Sequence, residues 1–273
     1  MKVPRTAVCF LTLYACFLFA CQPSAAPSPL PAAPAPLTAA PAAAAPAAPS
    51  ETVSASPALS VLPTSAITPA PAEPTPDPNL GVGDIIYSDA LDGSSGFGWT
   101  YESETVTFSI GGGQLNAVMK QGNVGPRLRG GPEVTLGDQQ LRVTARAHLC
   151  YARDEYGLLF RGQRDALGSL SAYVFKVSCG GEARVEVLRG GESAPVVDWT
   201  PAAALVSGAP SENTLMVWMV GDQFHFYVNE RYLFSARDAT FRAGLPGIYI
   251  RDRTNGGEAV SFLDLVARAV KQP

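Results

Sequence analysis

The stretch Leu215-Met-Val-Trp-Met-Val-Gly-Asp-Gln-Phe-His-Phe-Tyr-Val228 decides the fold. Two runs of alternating side chains flank Gly221-Asp222, a dipeptide that turns a chain tightly back on itself. Period two sends Leu215, Val217, Met219, Phe224, Phe226 and Val228 to one face and Met216, Trp218, His225 and Tyr227 to the other. A two-residue turn also fixes the register, setting Met219 opposite Phe224 and Trp218 opposite His225. Outward from this hairpin the same alternation recurs at about ten-residue spacing, with Gly, Asp and Asn at the breaks. The segments are 84–88, 106–110, 114–119, 139–150, 156–161, 172–178, 184–189, 232–236, 247–251 and 259–269, giving twelve candidate strands with the hairpin's two. No run of ten or more residues carries a helical period. The pattern predicts an all-β, two-sheet antiparallel jelly-roll sandwich and excludes a doubly wound α/β fold.

The chain around this domain has a different make-up. Lys2 and Arg5 precede an apolar stretch from Ala7 to Ala20, short for a bilayer core of about 30 Å, which reads as a secretory signal over residues 1–20. It ends in Leu18-Phe19-Ala20-Cys21, similar to a bacterial lipobox, so Cys21 is the expected lipidation site. Ordinary export with cleavage near Ala26 is the alternative. Residues 21–83 read as a disordered stalk: between Gln22 and Leu80, 34 of 59 positions are Pro or Ala, with only Glu51, Glu73 and Asp77 charged. Prolines two to eight residues apart deny the alanines a helix and leave an extended, solvated backbone. The folded domain is expected over 84–273, and the protein is expected outside the cytoplasm, anchored to a membrane at the cell surface or in the periplasm. With 24 acidic against 20 basic side chains, nucleic acid is excluded as a partner.

Four segments carry a family resemblance. Asp84-Ile-Ile-Tyr-Ser-Asp89 with Gly98-Trp99, Tyr156-Gly-Leu-Leu-Phe-Arg161, Phe226-Tyr-Val-Asn-Glu230 and Val260-Ser-Phe-Leu-Asp-Leu265 resemble the bacterial laminin-G-like jelly rolls of the concanavalin A-like lectin/glucanase superfamily. The likeness spans nearly all of 84–270, with Glu230 standing where the pattern usually has Gly. It implies a jelly roll whose concave sheet binds glycan. The superfamily's glucanases carry a Glu-x-Asp-x-x-Glu strand that projects two carboxylates from one face. No such run exists here, so no catalytic residue is assigned. Asp154-Glu155, Glu102 with Glu104, and Glu182 with Glu186 are the nearest acidic pairs, read as solvated turn or strand-edge charge.

Metal and redox chemistry are equally sparse. His148 and His225 are the only histidines and have no ligand spacing, so no metal site is assigned. Asp252, Asn255 and Glu258 share one loop and could offer oxygen ligands to Ca²⁺, although such residues also populate plain turns. Gly111-Gly-Gly113 and Gly130-Gly131 precede no helix and read as hairpin turns rather than phosphate loops. Cys150 and Cys179 end two predicted strands that emerge at the same end of a meander, the geometry a disulfide requires, with two free thiols as the alternative.

Alternation assigns Leu158, Phe160, Tyr173, Phe175 and Val177 to the core with the hairpin's inward set. It leaves Arg161, Lys176, Met216, Trp218, His225, Tyr227, Tyr249 and Arg251 outward as one expected aromatic and cationic face. Rings suit the apolar side of a pyranose and cationic donors suit its hydroxyls, so this face is the expected binding site for a glycan or cell-envelope polysaccharide. Cover by a loop, or faces exchanged by one residue, is the alternative. Trp99 and Trp199 read as plugs of the sandwich edges. The expected function is a surface-tethered, non-catalytic carbohydrate-binding or adhesion module. A divergent glycoside hydrolase and a structural envelope protein without a small ligand stand as alternatives.

Overall fold

The computed structural model describes residues 74–95 and 98–271. The expected signal, the Cys21 lipidation site and the stalk up to residue 73 lie outside these. The described chain is all β: β1 (Val82–Asp89), β2 (Tyr101–Glu102), β3 (Val106–Gly111), β4 (Gln114–Met119), β5 (Arg127–Gly130), β6 (Gln139–Leu149), β7 (Glu155–Arg164), β8 (Leu170–Ser178), β9 (Glu182–Arg189), β10 (Glu192–Pro201), β11 (Ser211–Val220), β12 (Gln223–Val228), β13 (Arg231–Arg237), β14 (Leu245–Arg251) and β15 (Ala259–Val270). All twelve expected strands are present. The three additional ones are β2, β5 and β10, each on a sheet edge and broken in pattern by charge, Gly or Pro.

Two antiparallel sheets form the sandwich. The nine-stranded sheet runs β13-β12-β11-β6-β15-β4-β3-β2, with β1 beside the second half of β15, and the six-stranded sheet runs β10-β9-β8-β7-β14-β5. The β11–β12 hairpin has the expected register, with Met219 opposite Phe224 and Trp218 opposite His225. The core between the sheets is the expected inward set: Leu158, Phe160, Tyr173 and Phe175 from one sheet meet Leu215, Val217, Phe224 and Phe226 from the other. Ring centroids of Phe175 and Phe226 are 5.0 Å apart, and those of Tyr173 and Phe224 are 5.1 Å apart. Removing this apolar area from water, at about 25 cal/mol per Å², is what holds the two layers together.

Three details position the surfaces. Cys150 follows β6, Cys179 follows β8, and a disulfide joins them with Cα atoms 6.1 Å apart. Trp99 is fully buried and donates its indole N–H to Asp89 Oδ2 at 2.9 Å, plugging the edge as expected. Residues 76–82, read from sequence as stalk, lie across the outside of the nine-stranded sheet. There the carbonyls of Pro76, Pro78 and Leu80 accept hydrogen bonds from Tyr227, Gln140 and Trp218 at 3.1, 2.7 and 2.9 Å. This strap carries little sequence signal because its hydrogen bonds to the sheet are accepted by backbone carbonyls.

Candidate functional site

The expected eight-residue face does not form one surface. Alternation distinguishes inward from outward within a strand, but a sandwich has two outsides. Met216, Trp218, His225 and Tyr227 lie outside the nine-stranded sheet, while Lys176, Tyr249 and Arg251 lie outside the six-stranded one. Arg161 lies on neither. A bulge with φ of 50° interrupts β7 there and turns the side chain into the interior. It is fully buried, donates to the carbonyls of Gly221 and Phe241 at 2.7 and 3.0 Å, and packs over the Phe224 ring at 5.1 Å. Arg161 therefore clamps the β11–β12 turn to the loop before β14.

Outside the nine-stranded sheet, Met216, Trp218, Val220, Tyr227 and Val270 form a small second cluster with Val82 and Tyr232. The strap covers it, leaving Trp218 only 4% exposed. His225 stacks on the indole with centroids 4.9 Å apart and shares a hydrogen bond with Ser235 Oγ. Burial raises the Tyr227 hydroxyl above its ordinary pKa and lowers the His225 imidazole. The strap makes most of this surface an internal seam: Met216, Trp218 and Tyr227 are buried, and His225 is partly open at its edge.

Outside the six-stranded sheet the picture is different. Cα pairing aligns Leu128, Tyr249, Gly157, Lys176 and Arg184 in one row across five strands. Gly157 is required there, because a Cβ would stand 2.9 Å from that of Lys176. The Lys176 ammonium, itself buried, is held by Glu155 Oε2 at 2.8 Å and Glu186 Oε2 at 3.1 Å, with the rings of Tyr249 and Trp199 at 5.1 and 5.5 Å. Tyr249 donates its hydroxyl to Glu155 at 2.7 Å and Arg253 adds a contact at 2.5 Å. Burial alone would raise the Glu155 carboxyl, but Lys176, Tyr249 and Arg253 outweigh it and hold the group below its ordinary value. Burial, then the neighbouring Glu155 charge, pushes the Tyr249 hydroxyl upward.

Two residues depart from their sequence expectation. Glu155, taken for a turn residue, opens β7 and points onto this face. Trp199, taken for an edge plug, is half-exposed on β10 with the Arg184 guanidinium 5.8 Å from its ring. Arg251 stands beside this cluster, half-buried, with its Nε lacking any partner. A groove of about 760 Å³ extends from the same face toward the open edge of the sandwich. Leu128, Leu170 and Leu188 give it an apolar floor, Tyr101 is half-exposed at its rim, and Arg127, Arg129 and Arg164 line it. Tyr101 and the three arginines carried no signal in the sequence, since they sit on β2, on β5 or at the end of β7, where alternation is too short to read.

The loop read as a possible Ca²⁺ site does not converge on a metal. Asp252 spends one oxygen on Thr254 and the other on the Glu258 backbone N–H, while Asn255 is exposed. The Glu258 carboxyl lies instead among the sulfurs of Cys150 and Cys179, fully buried with neither oxygen partnered. Burial, reinforced by Asp154, Asp252 and Glu155, pushes its pKa well above the ordinary carboxylate value.

No family model matches the chain, and no curated protein matches it. Solved structures do. The carbohydrate binding module CBM66 from Bacillus subtilis is 15% identical with a TM-score of 0.48, over 60% of this chain and 91% of that one. The β-glucanase of Bacillus licheniformis is 9% identical with a TM-score of 0.46, over 69% and 99%. The κ-carrageenase of Pseudoalteromonas carrageenovora is 8% identical with a TM-score of 0.46, over 75% and 99%. At such identities the likeness is at most one of fold, and it is the strand pairing itself that makes this domain a two-sheet antiparallel sandwich.

Proposed function

We propose that the domain binds carbohydrate without cleaving it, using the groove outside the six-stranded sheet, and that an acylated Cys21 with the Pro/Ala-rich stalk holds it to a membrane outside the cytoplasm. The observation that carries the reading is the groove: an apolar floor, a half-exposed Tyr101 ring and polar groups at its rim suit a chain of pyranose rings. The hydrolase alternative has its best candidates in Glu155 and Glu186, which approach within about 6 Å because both hold Lys176, close to the separation used by retaining glycosidases. The intervening ammonium argues against it. A general acid needs a raised carboxyl pKa, and Glu155 is held low and buried. The covered Trp218 seam favours one second reading, a structural envelope protein with no small ligand.

Binding of the full chain, in mild detergent, to a panel of immobilised polysaccharides separates these readings. Tyr101→Ala is expected to weaken binding by about tenfold or more, as loss of a stacking ring does, while His225→Ala leaves it unchanged. Release of new reducing ends from a bound polymer would overturn the non-catalytic reading. Absence of binding to every polymer would leave the envelope role.

A further inference from the structure

The groove's charge is one-sided in a way that the chain's net charge of −4 does not explain. Arg127, Arg129 and Arg164 line it, against Asp165 as the sole carboxylate residue of its lining. Among the described residues, Arg127, Arg129 and Arg251 have no carboxylate within salt-bridge reach, and Arg164 has only the largely exposed Glu133, at 2.9 Å. Arg129 is pinned in place by the carbonyls of Gly98, Trp99 and Thr100, contacts that fix its orientation without neutralising it. Arg164 lies directly over Gly130, where a Cβ would stand 2.5 Å from its Nη2, and both arginines border a hollow of about 150 Å³. Burial, and then the proximity of Arg164, lowers the Arg129 pKa.

Gathering guanidinium groups costs Coulomb energy that an anion of matching geometry would recover. The planar fork of arginine fits a carboxylate or sulfate through paired hydrogen bonds. A second cationic point lies further along. Arg251 borders a hollow of about 100 Å³ that shares Pro126, Leu128, Leu188 and Gly191 with the groove. Two cationic points along one apolar-floored run suit a polymer with repeated anions better than a single small anion. Resting on the reading of this groove as a carbohydrate site, we propose that its ligand is an acidic polysaccharide whose carboxylate or sulfate groups are held by Arg129 and Arg164 at one end and by Arg127 and Arg251 further along.

The test uses the full chain in mild detergent against polygalacturonate, dextran sulfate and neutral dextran, from low to high NaCl. At least one acidic polymer is expected to bind about tenfold or more tighter than dextran, with affinity falling steeply as salt screens the contacts. Polygalacturonate against dextran sulfate tells carboxylate from sulfate. Arg164→Gln and Arg251→Gln are each expected to weaken acidic binding by about tenfold, while Arg231→Gln, exposed on the other sheet, leaves it unchanged. Equal loss from Arg231→Gln would reduce the effect to unspecific attraction and overturn the proposal. Binding of dextran that depends on Tyr101 but on neither arginine would overturn the acidic ligand and leave the carbohydrate reading standing. Failure of every polymer, neutral or acidic, would overturn both. Should Arg164→Gln lower the melting temperature, Arg251→Gln and the salt dependence still decide the matter.

Discussion

Trp218→Ala separates a covered seam from an open binding platform. The indole is 4% exposed, packed with Met216, Val220, Tyr227 and Val270 beneath residues 76–82, and its N–H donates to the Leu80 carbonyl at 2.9 Å. Truncation to the methyl group removes on the order of 150 Å² of buried apolar surface, which at about 25 cal/mol per Å² is close to 4 kcal/mol. Relaxation of the strap recovers part of that, so about 3 kcal/mol is expected, at the lower end of the range for buried Trp truncations. For a domain of about 200 residues this lowers the melting temperature by roughly 6 to 12 °C. The assay is thermal and urea unfolding of the wild type and variant, each with the strap intact and with residues 1–82 deleted. Much of the Trp218 contact belongs to the strap, so the substitution should cost less in the truncated chain, and the two changes should couple rather than add. A Trp218→Ala variant that melts within about 2 °C of wild type would refute the seam, and full additivity would refute the strap's part in it.

The remaining expectations concern charge and anchoring. Lys176→Met strands Glu155 and Glu186 without their shared cation and should destabilise the fold by about 3 to 5 kcal/mol, read as a lowered urea midpoint at constant m-value. In the wild type, the depressed Glu155 contributes stability that is present above its unfolded pKa of about 4.3 and fades as pH falls through its lower folded value, and Lys176→Met should lose that part of the acid limb. Glu258 has the opposite sign. Its folded pKa is raised, so ionisation of the unfolded chain draws stability away as pH climbs above about 4.3. Glu258→Gln cannot ionise, so its melting temperature should gain on wild type as pH rises above about 4, and a gap that stays constant with pH would sink this account. Cys21→Ala should abolish incorporation of a radiolabelled fatty acid, and unchanged label in the mutant would remove the lipoprotein reading. The Glu230 backbone sits at φ 64° beside Asn229 at 49°, so Glu230→Gly should raise stability by about 1 kcal/mol in urea melts, as a mirror-type hairpin turn asks for Gly there.

What could be read from the chain, and what could not, follows from the range of each signal. The β11–β12 register was legible because everything that sets it lies within fourteen consecutive residues: two period-two runs and a Gly-Asp turn. The core was legible for the same reason, since alternation is a local property of each strand. Which outer surface a residue joins is not local. Trp218 and Lys176 both alternate outward, yet they lie on opposite sides of the sandwich, because strand order pairs β11 with β6 and β8 with β7. A single left-handed residue was enough to carry Arg161 from outside to inside, and Phe-Arg-Gly at 160–162 does not announce a bulge in advance. The groove escaped notice because of how it is built: β5 is a four-residue edge strand, β2 has two residues, and Arg164 ends β7. Edges are where pattern is shortest and where sheets leave polar side chains free to meet something else. The part of this domain that sequence alternation describes best is therefore the part that holds it together. The part most open to a ligand is assembled from fragments brought together only once both sheets have formed.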